Sequence, residues 1–264
     1  PPRQLLSLDG AGDRLRAVVG IGDVDTADHV ATFVGGFTTT PRGALGRYDT
    51  QLAQVRDRTG QIARASGMAH ATTAQVVWLG YDAPQQHEVL DPWGRSVLSE
   101  QTAKQAAPAL ARFINGIDAA RELPPHQVID AHSYGSVVAG HLLTHNTGVD
   151  DVVLLGSPGV GGAFTSLAGA GLKPGALNVL AADWDAVAHS GWFTGDPTEV
   201  PGALVLSSGW SLVPDLPLGT GAASTGHSDY FTTGSTSVEN LAAVTLGRRD
   251  LLILDGERRK GGRP

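Results

Sequence analysis

Residues 128–140 read VIDAHSYGSVVAG and decide the fold, because an apolar run typical of a buried strand leads through Ser133 into a helix-forming stretch. A serine at such a strand-to-helix turn has a strained backbone, so the residues two positions before and after it must be small. Ala131 and Gly135 meet this requirement, although glycine is more usual than alanine at the first position. The following helix would direct its amides and its positive end toward the serine. The pattern therefore predicts that Ser133 is a nucleophile.

Strands and helices alternate on both sides of this stretch. Compact apolar runs predict buried strands at residues 29–37, 75–81, 127–131, 152–156, 177–181 and 203–207. Stretches with helical periodicity lie at residues 45–65, 96–123, 134–144 and 237–246. This alternation predicts an α/β domain whose central sheet is mostly parallel and carries helices on both faces.

The outer parts of the chain predict how this domain begins and ends. Two short apolar runs at residues 5–8 and 15–19 flank the turn sequence DGAGD, which predicts an N-terminal antiparallel hairpin. Few residues separate the strands at 152–156 and 177–181, so we expect no large lid domain and a fairly open site. A chain of 264 residues fits one domain over residues 1–256, with a charged, glycine-rich flexible tail at 257–264.

Composition limits the classes of protein to which the chain can belong. The net charge of −7 argues against a nucleic-acid surface, which needs a clustered positive field. The absence of cysteine excludes disulfides, thiolate metal sites and a cysteine nucleophile. No apolar run reaches the ~18–20 residues of a transmembrane helix, so we expect a soluble protein. The first residue is proline, which suggests a truncated or processed N-terminus and leaves both a cytoplasmic and a secreted location open.

A serine hydroxyl becomes a good nucleophile only when an imidazole removes its proton. Around a strand–serine–helix turn of this kind, the acid and the histidine follow the serine in that order along the chain. His227 fits this order, because it lies in a loop beyond the last predicted strand. The side chain of His132 is expected to point away from the neighbouring serine. We interpret the remaining histidines as structural: His29, His70, His87, His126, His141, His145 and His189.

The acid is expected just after the strand at residues 177–181, where the sequence DWDAV offers two carboxylates. We favour Asp185, because an orienting carboxylate commonly sits in such a turn and would fix the imidazole tautomer. Asp183 is the alternative acid. Asp196 and Asp229 are more typical of a turn residue and a local cap.

A second backbone feature predicts an oxyanion hole. Residues 32–40 read TFVGGFTTT, so a strand ends in two glycines that let the backbone approach a ligand closely. We predict that a backbone amide at Gly36 or Phe37 joins the amide of Tyr134 in holding an oxyanion.

Several motifs together resemble one known family. They are GDVDTADHV at residues 22–30, the GGFTT loop, WLGYDAP at 78–84, AHSYGS at 131–136 and GSPG at 156–159. In this combination, over most of its length, the chain resembles the actinobacterial α/β-hydrolase family known as a domain of unknown function, DUF1023. The resemblance implies the α/β-hydrolase fold and the assignment of Ser133, Asp185 and His227 as a catalytic triad.

The leading hypothesis for the reaction is hydrolysis of a carboxylic ester, with an acyl-enzyme on Ser133 and a water activated by His227. This chemistry requires no cofactor and no metal. Cleavage of an amide or peptide bond would use the same residues, and a non-catalytic binding module on the same scaffold is a further alternative. A nucleotide-binding domain is disfavoured, because GSPGVGG at residues 156–162 lacks the phosphate-binding spacing.

Aromatic residues near the predicted site bear on the substrate. Aromatic side chains that line the site would accommodate an acyl chain and favour a small-molecule or lipid-like ester as substrate. Packing in the core is the commoner role of such residues. The residues concerned are Phe37, Trp93, Trp184, Trp192 and Phe193.

Overall fold

A central eight-stranded sheet organises the computed structural model, which describes residues 1–214 and 219–256. In space its strands follow the order β1-β2-β4-β3-β5-β6-β7-β8. They are β1 (Arg3–Asp9), β2 (Arg16–Ile21), β3 (His29–Val34), β4 (Thr73–Leu79), β5 (His126–His132), β6 (Asp151–Leu155), β7 (Leu177–Leu180) and β8 (Leu204–Leu206). Strands β1 and β2 pair antiparallel to each other, and β2 pairs antiparallel to β4. All strands from β4 to β8 in that order pair in parallel, which confirms the predicted sheet and its N-terminal hairpin.

Helices cover both faces of this sheet, as predicted. They are α1 (Pro41–Ala65), α2 (Gln101–Ala119), α3 (Gly135–Leu142) and α4 (Thr236–Thr245). Successive residues of β5 point to opposite faces. Val128 belongs to a buried cluster with Leu52 of α1 and Leu241 of α4, whereas Ile129 belongs to a cluster with Leu110 of α2 and with residues of α3. Strand β5 is therefore buried on both sides, and its carboxyl end lies at the centre of one sheet edge.

Several element boundaries differ from the prediction for local reasons. Helix α1 begins at Pro41 rather than at residue 45, because the Thr40 hydroxyl accepts a hydrogen bond from the Gly43 amide (3.1 Å) and caps the helix. Helix α2 begins at Gln101 rather than at residue 96, because the Ser96 hydroxyl accepts the Leu98 amide in a turn (3.1 Å). Strand β3 ends at Val34, before the glycine pair.

Over residues 1–214 and 219–256, the connections leave the carboxyl edge of the sheet without a lid domain. Residues 156–176, between β6 and β7, form turns and no helix. After β8, strands β9 (Ser211–Leu212) and β10 (Thr220–Gly221) pair antiparallel, and this pairing was not predicted. The assignment of residues 1–256 to a single domain stays a prediction, and the predicted tail at 257–264 lies outside the described residues. Over the described ranges, no helix is both long and apolar enough to cross a membrane.

Candidate active site

Ser133 lies in the turn between β5 and α3, with a backbone φ of +57°. This left-handed conformation is strained for any residue other than glycine, and such strain is typical of functional sites. The turn is tight enough that a β-carbon on Gly135 would overlap the carbonyl oxygen of Val34. Ala131, two residues before the serine, is fully buried. The small residues on both sides of Ser133 therefore fit the close approach of β5, α3 and β3.

His227 and Asp185 form the central polar pair of the site. The Nδ1 atom of His227 lies 2.9 Å from both carboxylate oxygens of Asp185. Tyr230 donates its hydroxyl to Asp185 Oδ2 (2.8 Å), and the amides of Val187 and Ala188 donate to Oδ1 (3.0 and 3.2 Å).

These contacts keep the carboxyl group of Asp185 ionised. Burial alone would raise the pKa of Asp185, but the hydrogen bonds from His227 and Tyr230 outweigh it and lower this pKa to about 2. Asp185 is therefore ionised at neutral pH. An ionised carboxylate at Nδ1 favours the tautomer that carries its proton there, which leaves Nε2 of His227 able to accept a proton.

Gly156, the residue after β6, makes room for this pair. It has a φ of +56°, and a β-carbon there would lie 2.6 Å from Asp185 Oδ2 and 3.0 Å from His227 Nδ1. Any larger residue would collide with the acid and the imidazole together. Sequence reasoning missed this role, although the glycine's position at the end of a buried strand was a signal for it.

His132 supports the loop that carries His227. Its Nε2 atom donates a hydrogen bond to the His227 carbonyl oxygen (2.6 Å), and the two imidazole centroids are 4.7 Å apart. Burial, together with the nearby His227, lowers the pKa of His132 to about 4, so its ring is neutral at physiological pH. The sequence analysis did not foresee this contact.

The glycine loop after β3 lies against the serine turn. A β-carbon on Gly36 would come within 2.8 Å of the Tyr134 amide nitrogen, so only glycine fits there. The amides of Phe37 and Tyr134 donate no hydrogen bond to any residue that the structure describes. Both are therefore available to an oxygen atom bound beside Ser133.

Two hydrogen bonds fix the orientation of this loop. The Tyr81 hydroxyl donates to the Gly35 carbonyl oxygen (2.7 Å), and the Thr39 hydroxyl donates to the Gly36 carbonyl oxygen (2.6 Å). Because a trans peptide holds its N–H opposite its carbonyl, these bonds also set the directions of the Gly36 and Phe37 amides.

Ser133 and His227 both line one cleft of about 550 Å³. Within the described chain, the hydrogen bonds of the His227 ring are those to Asp185, and none joins it to the Ser133 hydroxyl. Most of the lining is apolar and includes Phe37, Tyr134, Val97, Leu98, Pro158, Val187, Trp192 and Phe193. Trp192 Nε1 donates to the Leu98 carbonyl oxygen across the cleft (3.4 Å). Trp93 and Trp184 are exposed and are not among the lining residues.

The other candidate side chains lie elsewhere. Asp183 is exposed, whereas Asp185 is buried against His227. Asp196 accepts the Thr198 amide (2.9 Å) at the start of a short 3₁₀ helix, which is a local capping role. Within the described residues, no three histidine, aspartate or glutamate side chains are placed to hold a metal ion.

A mostly parallel sheet with helices on both faces, N-terminal antiparallel strands and no large lid defines the α/β-hydrolase fold. The family model described as alpha/beta hydrolase matches residues 9–193, and the chain belongs to this family.

The chain is also similar to individual proteins. An uncharacterized protein of Mycobacterium tuberculosis (strain ATCC 25618 / H37Rv) is 33% identical over 229 residues, which cover 84% of this chain and 83% of that protein. A second uncharacterized protein of the same strain is 27% identical over 270 residues, covering 93% of this chain and 39% of that protein. Among solved structures, esterase PE8 has a TM-score of 0.49 at 16% identity, covering 86% of this chain and 96% of that one.

Proposed function

We propose that this protein is a serine hydrolase that cleaves carboxylic esters through an acyl-enzyme on Ser133. In this proposal His227 is the general base and Asp185 orients and stabilises its imidazole. The observation that carries the proposal is the contact of the buried Asp185 with the half-buried His227, which lines one mostly apolar cleft together with a strained serine. The narrower assignment to the actinobacterial family DUF1023 belongs to this proposal and is supported by the mycobacterial origin of the relatives.

The proposed reaction proceeds in two half-reactions. In the first, His227 Nε2 takes the proton of the Ser133 hydroxyl while its oxygen attacks the ester carbonyl carbon. The tetrahedral oxyanion then receives hydrogen bonds from the Tyr134 amide and from the amide of Gly36 or Phe37. When the intermediate collapses, His227 returns the proton to the departing alcohol. In the second half-reaction, His227 activates a water that attacks the acyl-enzyme and releases the carboxylic acid.

Asp185 contributes through its charge. Because its pKa is held at about 2, it stays ionised throughout the neutral range and stabilises the imidazolium that forms during each half-reaction. The apolar lining of the cleft favours an ester with a hydrocarbon acyl chain, so the proposed substrate is a small-molecule or lipid-like ester.

Hydrolysis of a p-nitrophenyl ester series from acetate to palmitate tests the proposal. We expect the wild type to hydrolyse part of the series and Ser133→Ala to lose at least about 10⁴-fold in kcat. Matched p-nitroanilides in the same assay distinguish an amidase. Ester hydrolysis that survives in Ser133→Ala, or a folded wild type that cleaves no ester, would contradict the proposal.

Two matched aspartate variants test which carboxylate orients the imidazole of His227. Asp185→Asn and Asp183→Asn make the same chemical change two residues apart. We expect Asp185→Asn to lose activity and Asp183→Asn to keep activity within a few-fold of the wild type. The reverse result would assign the role to Asp183.

A further inference from the structure

Arg47 on α1 is the one charged side chain, apart from histidine, among the described residues that line the catalytic cleft. No aspartate or glutamate belongs to the lining. Arg47 is an exposed residue of this lining, so its guanidinium is accessible to a molecule that enters the cleft. Among the described residues, Arg47 caps no helix, and its side-chain hydrogen bond is to the neighbouring Tyr48.

Within the described chain, no carboxylate neutralises Arg47. The nearby carboxylate of Asp49 pairs with Arg3 instead. The guanidinium of Arg47 lies 4.7 Å from the ring centroid of Tyr48, and this ring is itself buried against Phe33. The planar guanidinium of an arginine beside an aromatic ring carries five N–H donors, enough to meet a carboxylate or a phosphate in pairs in addition to a contact with Tyr48.

Other features of the cleft add to its positive character. Phe37 and Tyr134, the latter at the N-terminal end of α3, also line the cleft, and their backbone amides are unpaired among the described residues. Arg47 is also one of the groups that lower the pKa of His132, after burial and His227. The field of Arg47 therefore reaches the residues around Ser133. In a protein with a net charge of −7, a positive cleft would concentrate anions.

We propose that Arg47 binds an anionic group, a carboxylate or a phosphate, carried by the ester substrate, and so selects acidic esters over neutral ones. The proposal deepens the ester hydrolase function and rests on it. The acyl chain would pack on the apolar lining, and the anionic group would pair with the guanidinium in bidentate geometry.

Three p-nitrophenyl esters of matched length test this preference. They are the hexanoate, the monoadipate, in which a carboxylate replaces the terminal methyl, and the 6-phosphooxyhexanoate. We expect the wild type to show a kcat/KM about 10-fold higher for at least one anionic ester than for the hexanoate. The two anionic substrates separate a carboxylate site from a phosphate site.

Variants of Arg47 show whether this residue causes the preference. Arg47→Gln should remove it, so that the ratio of kcat/KM for the anionic ester to that for the hexanoate falls to about 1, and Arg47→Glu should reverse it. Arg42→Gln is the matched control, because Arg42 is exposed on the same helix and does not line the cleft. A preference that persists in Arg47→Gln, or a wild type that favours the hexanoate, would overturn the proposal.

A binding experiment separates this proposal from the ester hydrolase function. Calorimetry with Ser133→Ala protein would use adipate and inorganic phosphate as probes. We expect binding of one of them to be lost when Arg47→Gln is added and kept when Arg42→Gln is added. If no ester is hydrolysed but this pattern is found, the hydrolase function fails and the anion site stands. Equal binding with and without Arg47, or no binding, refutes the anion site.

Discussion

The strained backbone of Ser133 is kept in place by its neighbours. A left-handed φ at a residue other than glycine costs on the order of 1–3 kcal/mol, which the surrounding packing must offset. The Ser133 amide donates to the Leu155 carbonyl oxygen (2.9 Å), and the Ser133 carbonyl accepts the Ser136 amide (2.9 Å). Both bonds hold the turn against relaxation, so Ser133 stays in the lining of the cleft.

His132 is a positioning residue for His227 in the proposed reaction. We expect His132→Leu to lower kcat by about 10-fold to 100-fold, because the His227 carbonyl loses its donor and the imidazole loses its fixed position. KM should change little, since His132 acts through His227. The measurement is a comparison of kcat and KM for a neutral ester.

A conservative variant distinguishes positioning from general destabilisation. His132→Gln keeps an N–H donor and should recover part of the lost kcat. The interpretation fails if the two variants are equally impaired, or if KM rather than kcat changes.

Residue order and motif context predicted Ser133, Asp185 and His227 as candidates, and the structure brings Asp185 and His227 into contact. The supporting residues Tyr230 and His132 were not predicted. Their roles depend on contacts between segments far apart in sequence: Tyr230 meets Asp185 across 45 positions, and His132 meets His227 across 95. No periodic pattern within a segment encodes such a contact.

At the scale of elements, the strands and helices with strong periodicity were predictable, whereas the loops were not. Strand β6 is almost entirely apolar and buried throughout, and its pattern is readable from sequence. The two-residue strands β9 and β10 are too short to produce any period. The late start of α2 depends on a turn at Ser96 and on the Tyr134 hydroxyl, which donates to the Ser99 carbonyl oxygen (2.5 Å).

Gly156, directly after β6, leaves no space for a β-carbon beside the pair formed by Asp185 and His227. Gly156→Ala would place a methyl group 2.6 Å from Asp185 Oδ2, which forces the carboxylate or the imidazole to move. We expect at least about 100-fold loss of kcat/KM, because a displacement near 1 Å at a catalytic group costs that much. Ester hydrolysis and thermal unfolding should be measured on the same sample.

Gly171→Ala is the matched control for Gly156→Ala. Gly171 also has a positive φ, +70°, but a β-carbon there has no neighbour within 4 Å. Both variants should lose about 1 kcal/mol of unfolding free energy from backbone strain, and only Gly156→Ala should lose activity. Equal activity in the two variants would show that the pair tolerates the methyl group.

At the scale of the whole molecule, two buried groups on β5 link stability to pH in opposite directions. Asp130 is fully buried, and neither of its carboxylate oxygens has a hydrogen-bond partner among the described residues. Burial raises its pKa from 3.8 to about 7. His132 shows the reverse effect, because burial lowers its pKa from 6.5 to about 4.

The sign of each contribution to stability depends on whether the folded or the unfolded state binds more protons. Between pH 3.8 and about 7 the unfolded chain has lost the Asp130 proton while the folded chain keeps it, so this group makes stability fall as the pH rises. Between about pH 4 and 6.5 the unfolded chain binds a proton at His132 that the folded chain excludes, so this group makes stability rise with pH. Over their shared window the two contributions nearly cancel.

The Asp130→Asn variant removes the contribution of Asp130 to the pH dependence of stability. The contribution of His132 should then become measurable. At pH 8 we expect the variant to be more stable than the wild type by on the order of 4 kcal/mol, because a shift of one pKa unit corresponds to about 1.4 kcal/mol. At pH 4 the two proteins should be nearly equal, since the folded protein carries Asp130 in its neutral form there. Urea unfolding at both pH values measures the difference, with Asp57→Asn on the exposed side of α1 as a control for the change in net charge. A gain that is the same at both pH values would show that burial does not hold Asp130 protonated.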